Sequence, residues 1–242
     1  MNGAESLVRS LVAAGVDVCF ANPGTSEMHL VQAIDVVPEM RGVLALFEGV
    51  CTGAADGYGR MMGNPATTLL HLGPGLGNGI ANLHNARRAR TPIINLVGNH
   101  ASYHLQHDAP LTSDIDGLAD TVSCWTKSDS TAETLGRDGA DALTATLSAN
   151  PDSRGQIATL IVATDAAWGE VTEVAPFNPI PTRAAVSSDA IDTAAQNLDA
   201  DSLLLIDGPG MSSAGLGAAS RIASVVVPSN VLSPHAKAFR TR

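Results

Sequence analysis

Three stretches of this chain carry side chains suited to chemistry, and each follows a short apolar run. In Leu46-Phe47-Glu48-Gly49-Val50 a single carboxylate closes the run Val43–Phe47, read as a buried strand. An apolar setting raises a carboxyl pKa, so such a group can hold or pass a proton near neutral pH. The same residue would also suit a strand end or a helix N-terminus, where the dipole favours negative charge. His71-Leu72-Gly73-Pro74-Gly75-Leu76-Gly77-Asn78 begins with a histidine, which titrates near neutrality. Its glycines alternate, which is not the dinucleotide fingerprint. They predict a loop whose backbone comes close to a flat ligand. His71 also reads as a hydrogen-bonded histidine at a strand end. In Asn22-Pro23-Gly24-Thr25, Pro23 removes a donor and Gly24 permits close backbone approach. A plain turn with Thr25 or Ser26 as helix cap and Glu27 in the first turn is compatible with that role.

Two weaker clusters complete the inventory. His100, His104, His107 and Asp108 include a H-x3-H pair, which could share a helix face around a metal. Pro110 and the polar residues nearby predict a loop instead, and no metal is assigned. Asp207-Gly208-Pro209-Gly210 resembles a nucleotide loop only in its glycines.

The elements that must position these groups alternate regularly. Asn2 can cap a helix carrying Leu7, Val8, Leu11 and Val12, which Gly15 ends. Strand 16–21, helix 28–36, strand 43–47, helix 50–62, strand 67–72, helix 78–89 and strand 93–97 follow. A helix near 131–148 and strand 158–162 complete the unit. The alternation predicts an α/β fold, a parallel sheet with helices on both faces. Pro176, Pro179 and Pro181 punctuate 168–187, which reads as a linker. Beyond it come helix 189–198, strand 203–207, helix 213–223 and strand 225–227, an incomplete second α/β unit.

Composition narrows the partners. The 242 residues carry a net charge of -10, which argues against nucleic acid and anionic membranes. Arg87-Arg88-Ala89-Arg90 is the one basic cluster and suits a helix C-terminus. No apolar run approaches the roughly 20 residues of a membrane span. Cys19, Cys51 and Cys124 lack any C-x-x-C spacing and read as buried free thiols, so the cytoplasm is expected.

Three motifs in order resemble one family. Phe20-Ala21-Asn22-Pro23-Gly24-Thr25-Ser26-Glu27, Glu48 with Ala54-Ala55-Asp56-Gly57-Tyr58-Gly59-Arg60, and His71–Asn78 are together similar to the pyrimidine-binding domain of thiamine diphosphate enzymes. The likeness is to the acetolactate synthase and benzoylformate decarboxylase group, over residues 2–165 and more loosely beyond. It implies a domain at 1–167, the linker 168–187, and the start of a central domain at 188–242. It implies that Glu48 shares a proton with N1′ of the cofactor's aminopyrimidine and so activates thiazolium C2. Asn22, Pro23, Gly24, Thr25, Gly73, Pro74, Gly75 and Asn78 would line the cofactor. His71, which matches the decarboxylases where the synthases have a small residue, would transfer a proton. The Gln and Glu of the synthases' Asp-Ala-Phe-Gln-Glu segment are missing from Asp108-Ala109-Pro110-Leu111-Thr112.

Magnesium would be held by a Gly-Asp-Gly domain that these residues do not contain, and FAD would rest on the weak 207–210 string. The chain therefore reads as an N-terminal portion of an enzyme acting on 2-oxo acids. It would work as a homodimer or tetramer, or with a separate diphosphate-binding chain. Acetolactate synthase-like chemistry is the first expectation; a benzoylformate decarboxylase-type 2-oxo acid decarboxylase and a non-catalytic binding subunit are the alternatives.

Overall fold

The computed structural model describes residues 1–148, 156–176, 185–199, 201–206 and 211–226. The chain divides into two compact units, Met1–Thr182 and Arg183–Arg242. In the first, the helices are α1 (Gly3–Ala13), α2 (Met28–Val36), α3 (Glu48–Met62), α4 (Leu72–Ala89), α5 (Ile115–Asp120), α6 (Ala132–Leu147) and α7 (Thr164–Trp168). The strands are β1 (Val18–Asn22), β2 (Arg41–Leu44), β3 (Ala66–Leu70), β4 (Ile93–Asn99), β5 (Trp125–Lys127) and β6 (Ile157–Ala163).

Local signals set the first helix. The Asn2 side chain accepts from the Glu5 N–H at 2.9 Å, satisfying one otherwise unpaired donor. At the far end Gly15 takes the left-handed conformation at φ +88°, which lets the chain turn into β1. The apolar face of α1, with Leu7, Val8 and Leu11, is fully buried.

All six strands are parallel, in the order β2-β1-β3-β4-β6-β5. One apolar layer joins the sheet to α1, α2, α6 and α7 through residues such as Leu7, Leu30, Leu143 and Ala167. The opposite layer joins it to α3, α4 and α5 through Cys51, Leu76, Leu83 and Ile115. Helices thus cover both faces, as the alternation predicts, and the central strands β3 and β4 are buried on both sides.

A polar chain crosses this apolar sheet. Thr68, Asn95 and Thr159 sit side by side on β3, β4 and β6. Thr68 Oγ1 donates to Asn95 Oδ1 at 2.8 Å, Asn95 Nδ2 donates to Thr159 Oγ1 at 3.0 Å, and Ser123 pairs with Thr159 at 2.7 Å. A slip of one residue would turn these groups to the other face, so the chain of bonds fixes register. The unit's two ends also meet. The Gly3 N–H donates to the Gly169 carbonyl at 2.9 Å, and the Val171 N–H to the Met1 carbonyl at 3.0 Å.

Four sequence expectations need correction. The stretch 43–47 is not a buried strand. β2 spans 41–44 at the sheet edge, bonded only to β1, and Leu44, Leu46 and Phe47 are exposed. The stretch 73–78 is not a loop, because α4 begins at Leu72 and the Gly75 N–H already donates to the His71 carbonyl. Pro74 stands in the first helical turn, where a missing N–H leaves no bond unmade. In the second unit, α8 (Ser188–Gln196) and α9 (Ser213–Val226) match two expected helices, but Val225 and Val226 continue α9 rather than forming a strand. Residues 203–206 take no strand pairing, and 207–210 lie outside the described residues.

Asn95→Ala tests the polar chain. It strands the Thr68 hydroxyl in the core and leaves Thr159 with Ser123 alone, and an unsatisfied buried group costs about 1–3 kcal/mol. Urea unfolding should show a lower midpoint with an unchanged slope.

Candidate functional site

The strand order reverses between β1 and β3. From β1 the chain leaves over the α2 face to reach β2, and from β3 it leaves over the α4 face to reach β4. The two connections part, which opens a crevice at the carboxyl ends of these neighbouring strands. Residues 22–27 and His71 enter it from the two strand ends.

Glu48 is the first residue of α3 and is buried, with 8% of its surface exposed. It occupies a helix N-terminus, as one sequence reading has it, and is withdrawn from solvent. Its Oε2 accepts from Asn78 Nδ2 at 3.0 Å, while Oε1 bonds to none of the described residues. Gly75 lies beside the unbonded oxygen. A Cβ there would stand 3.2 Å from Glu48 Oε1 and 3.4 Å from His71 Cβ, so glycine keeps both groups uncovered.

Two further bonds hold the carboxylate's helix. Asn82, one turn beyond Asn78 on the same face of α4, donates to the Gly49 carbonyl at 2.6 Å. Thr52 Oγ1 donates to the Gly79 carbonyl at 3.2 Å. Helices α3 and α4 are therefore clasped where Glu48 is presented.

His71 occupies the N-cap of α4, and the next residue, Leu72, is fully buried at φ +48°. The left-handed region is unfavourable for leucine, and the surrounding core must hold it there. His71 Nδ1 meets Glu27 Oε2 at 2.7 Å, and the same oxygen accepts from the Gly24 N–H at 2.7 Å. Gly24 packs on the imidazole, since a Cβ there would fall 2.3 Å from its Cε1.

The remaining predicted lining residues divide clearly. Asn22 spends its side chain on the Ala45 carbonyl at 2.8 Å. Pro23 is half-buried, and Thr25 starts a 3-10 turn that ends at Glu27. Gly73 abuts Ser113, whose Cβ would lie 2.3 Å from an added Cβ, and Pro74 is exposed. Glu27 is the site residue to which sequence reading gave no role, appearing there as a first-turn acid and the last residue of the first motif. The three-residue spacing from Gly24 was its available signal. Elsewhere, the His104 ring meets His100 edge-on and His107 at a tilt, at and just before a separate 3-10 turn (Ser102–His107). No cluster able to hold a metal occurs among the described residues.

Residues 1–119 match the family model described as thiamine pyrophosphate enzyme, N-terminal TPP binding domain. Residues 1–119 thus carry the N-terminal domain of the thiamine diphosphate enzyme family. The chain's relatives include a provisionally named acetolactate synthase large subunit, IlvX, of Mycobacterium tuberculosis, 52% identical over 92% of this chain and 42% of that protein. The acetolactate synthase large subunit of Buchnera aphidicola is 31% identical over 49% of this chain and 21% of its own length. The fold is shared with the 4-hydroxybenzoylformate decarboxylase of Rhodococcus jostii at a TM-score of 0.72, with 23% identity, covering 81% of this chain and 37% of that one. The chain therefore spans less than half the length of each.

The thiols of the site region respond to their burial. Cys51, one turn along α3 from Glu48, is pushed up to about 11 by desolvation and then by the Glu48 charge. Burial likewise lifts Cys19 to about 12. The thiolate is the reactive form, so both should remain protonated and inert at pH 8. Iodoacetamide at pH 8 should leave Cys19 and Cys51 unmodified in the native chain and label both in urea, as read by mass spectrometry.

Proposed function

We propose that residues 1–167 form the pyrimidine-binding domain of a thiamine diphosphate-dependent enzyme acting on 2-oxo acids, of acetolactate synthase type. In this reading 168–187 are a linker and 188–242 begin a central domain. The observation that carries the proposal is the buried Glu48 carboxylate, with one oxygen held by Asn78 and the other unbonded beside Gly75. Such a half-satisfied carboxylate fits a heterocycle whose ring nitrogen exchanges a proton. When bound, thiamine diphosphate supplies that nitrogen and an electron sink for the 2-oxo carbon.

The chain's own residues then have distinct tasks. Glu48 holds or passes a proton at Oε1, and Asn78 fixes its orientation through Oε2. Asn22, Pro23, Gly24 and Thr25 flank the ligand from β1. Gly73, Pro74 and Gly75 flank it from the first turn of α4. His71 gives or takes a proton on the substrate side. A group binding the diphosphate and magnesium is assigned to a further domain or chain. The histidine at position 71 favours decarboxylation as a second reading, since the synthases carry a small residue there. The cytoplasm is the proposed compartment.

The test uses the complete enzyme, this region together with its diphosphate-binding domain. Glu48→Gln keeps size and hydrogen bonding but removes proton exchange, and acid–base contributions are typically about 10²–10⁴-fold. Turnover should fall by that order, and H/D exchange at the cofactor's C2 should slow in parallel. Exchange at the wild-type rate would defeat the assignment.

An oligomer is also proposed. Leu44, Leu46, Phe47 and Val50 expose apolar surface in a continuous stretch beside Glu48. A second chain covering it would remove that surface from water and close the site's approach. Sedimentation at micromolar concentration should show at least a dimer, and Leu46→Glu should weaken it.

A further inference from the structure

Glu27 has no place in the chemistry assigned above, yet its setting is unusual. The side chain is fully buried, and its two oxygens differ completely. Oε2 meets both His71 Nδ1 and the Gly24 N–H at 2.7 Å. Oε1 is buried with no hydrogen-bond partner among the described residues. It rests against Gly98 at the end of β4, where a Cβ would stand 1.7 Å away. Leaving a buried carboxylate oxygen unbonded is costly. The bond from the Gly24 N–H is a capping-box bond that a neutral glutamine could equally accept, so the cap does not by itself require a carboxylate. Glycine at 98 makes the room that the carboxylate needs.

The histidine is equally constrained. Gly24 packs on its ring from β1, and the left-handed Leu72 backbone fixes where the side chain leaves α4. Nδ1 faces the buried carboxylate, while Nε2 bonds to none of the described residues, and 24% of the side chain remains exposed. Across Gly75 lies Glu48. The ends of three strands and the start of one helix thus converge on a single ring orientation.

We propose that Glu27 is a positioning residue for His71. Its carboxylate takes the Nδ1 proton in a hydrogen bond and thereby fixes both the ring and its tautomer. Nε2 is left as the basic nitrogen, presented to the open side of the crevice. A neutral imidazole has one donor and one acceptor nitrogen, so a bond at one decides the role of the other. The hydrogen bond is independent of any ligand. The further step, that Nε2 exchanges a proton with a bound 2-oxo acid, rests on the function proposed above.

The test reads the ring nitrogens directly in the 242-residue chain without cofactor. Uniformly 15N-histidine-labelled protein is examined by long-range 1H–15N correlation at pH 8, and His71 is assigned by its loss in His71→Asn. Wild-type His71 should show a protonated Nδ1 and an unprotonated Nε2. In Glu27→Leu, which keeps the volume but removes the acceptor, the two nitrogens should exchange roles. A wild-type ring protonated on Nε2 would overturn the proposal without any variant. So would a folded Glu27→Leu protein, judged by its amide spectrum, whose His71 pattern is unchanged. Because no cofactor is present, the outcome is independent of C2 exchange in Glu48→Gln, and either idea can fail alone.

Discussion

β1 and β3 lie side by side and parallel, and no short turn can join parallel strands. The chain must detour over the sheet and back, and the detour is α2, β2 and α3. The rest of the site follows from that requirement. The two neighbouring strand ends deliver the Asn22–Thr25 loop and His71. The detour delivers Glu48 on the helix that returns to β3, and the next helix, α4, brings Asn78 against it. Groups up to fifty residues apart in sequence meet because one pairing forces the chain to travel.

Much of this was legible because it rests on period and punctuation. The apolar alternation locates the first unit's main strands, and Asn2 and Gly15 mark the ends of α1. What misled was context. Val43–Phe47 has the composition of a buried strand, but β2 is the sheet edge, and apolar content says nothing about which strands end up outermost. Gly73-Pro74-Gly75 has the composition of a loop. Position decides otherwise, since proline and glycine are tolerated in a first helical turn and each glycine answers a close contact. The valines at 225–226 show the reverse error, since β-branched residues suit strands yet here extend a helix.

The site itself was half visible. Glu48 and His71 stood out by type at the ends of apolar runs, Asn78 only through the family resemblance, and Glu48 and Asn78 do meet. Glu27 did not stand out, because an acid in a helix's first turn is common and needs no explanation. Its meaning lies in a contact with a residue 44 positions away, and in the space Gly98 leaves for it. The polar chain through Asn95 was hidden for the same reason. Within Ile93-Ile94-Asn95-Leu96-Val97 one asparagine looks like an interruption, and only strand order gives it partners.

The bonds joining Gly3 to Gly169 and Val171 to Met1 bring the start of the first unit against residues 169–171, near its other end. Topologically the unit is a nearly closed ring of chain, its two ends already in register. Its order of synthesis is therefore not built into its architecture. A short peptide could splice residue 171 to residue 1 and new termini could be opened in a surface loop, with every sheet pairing retained.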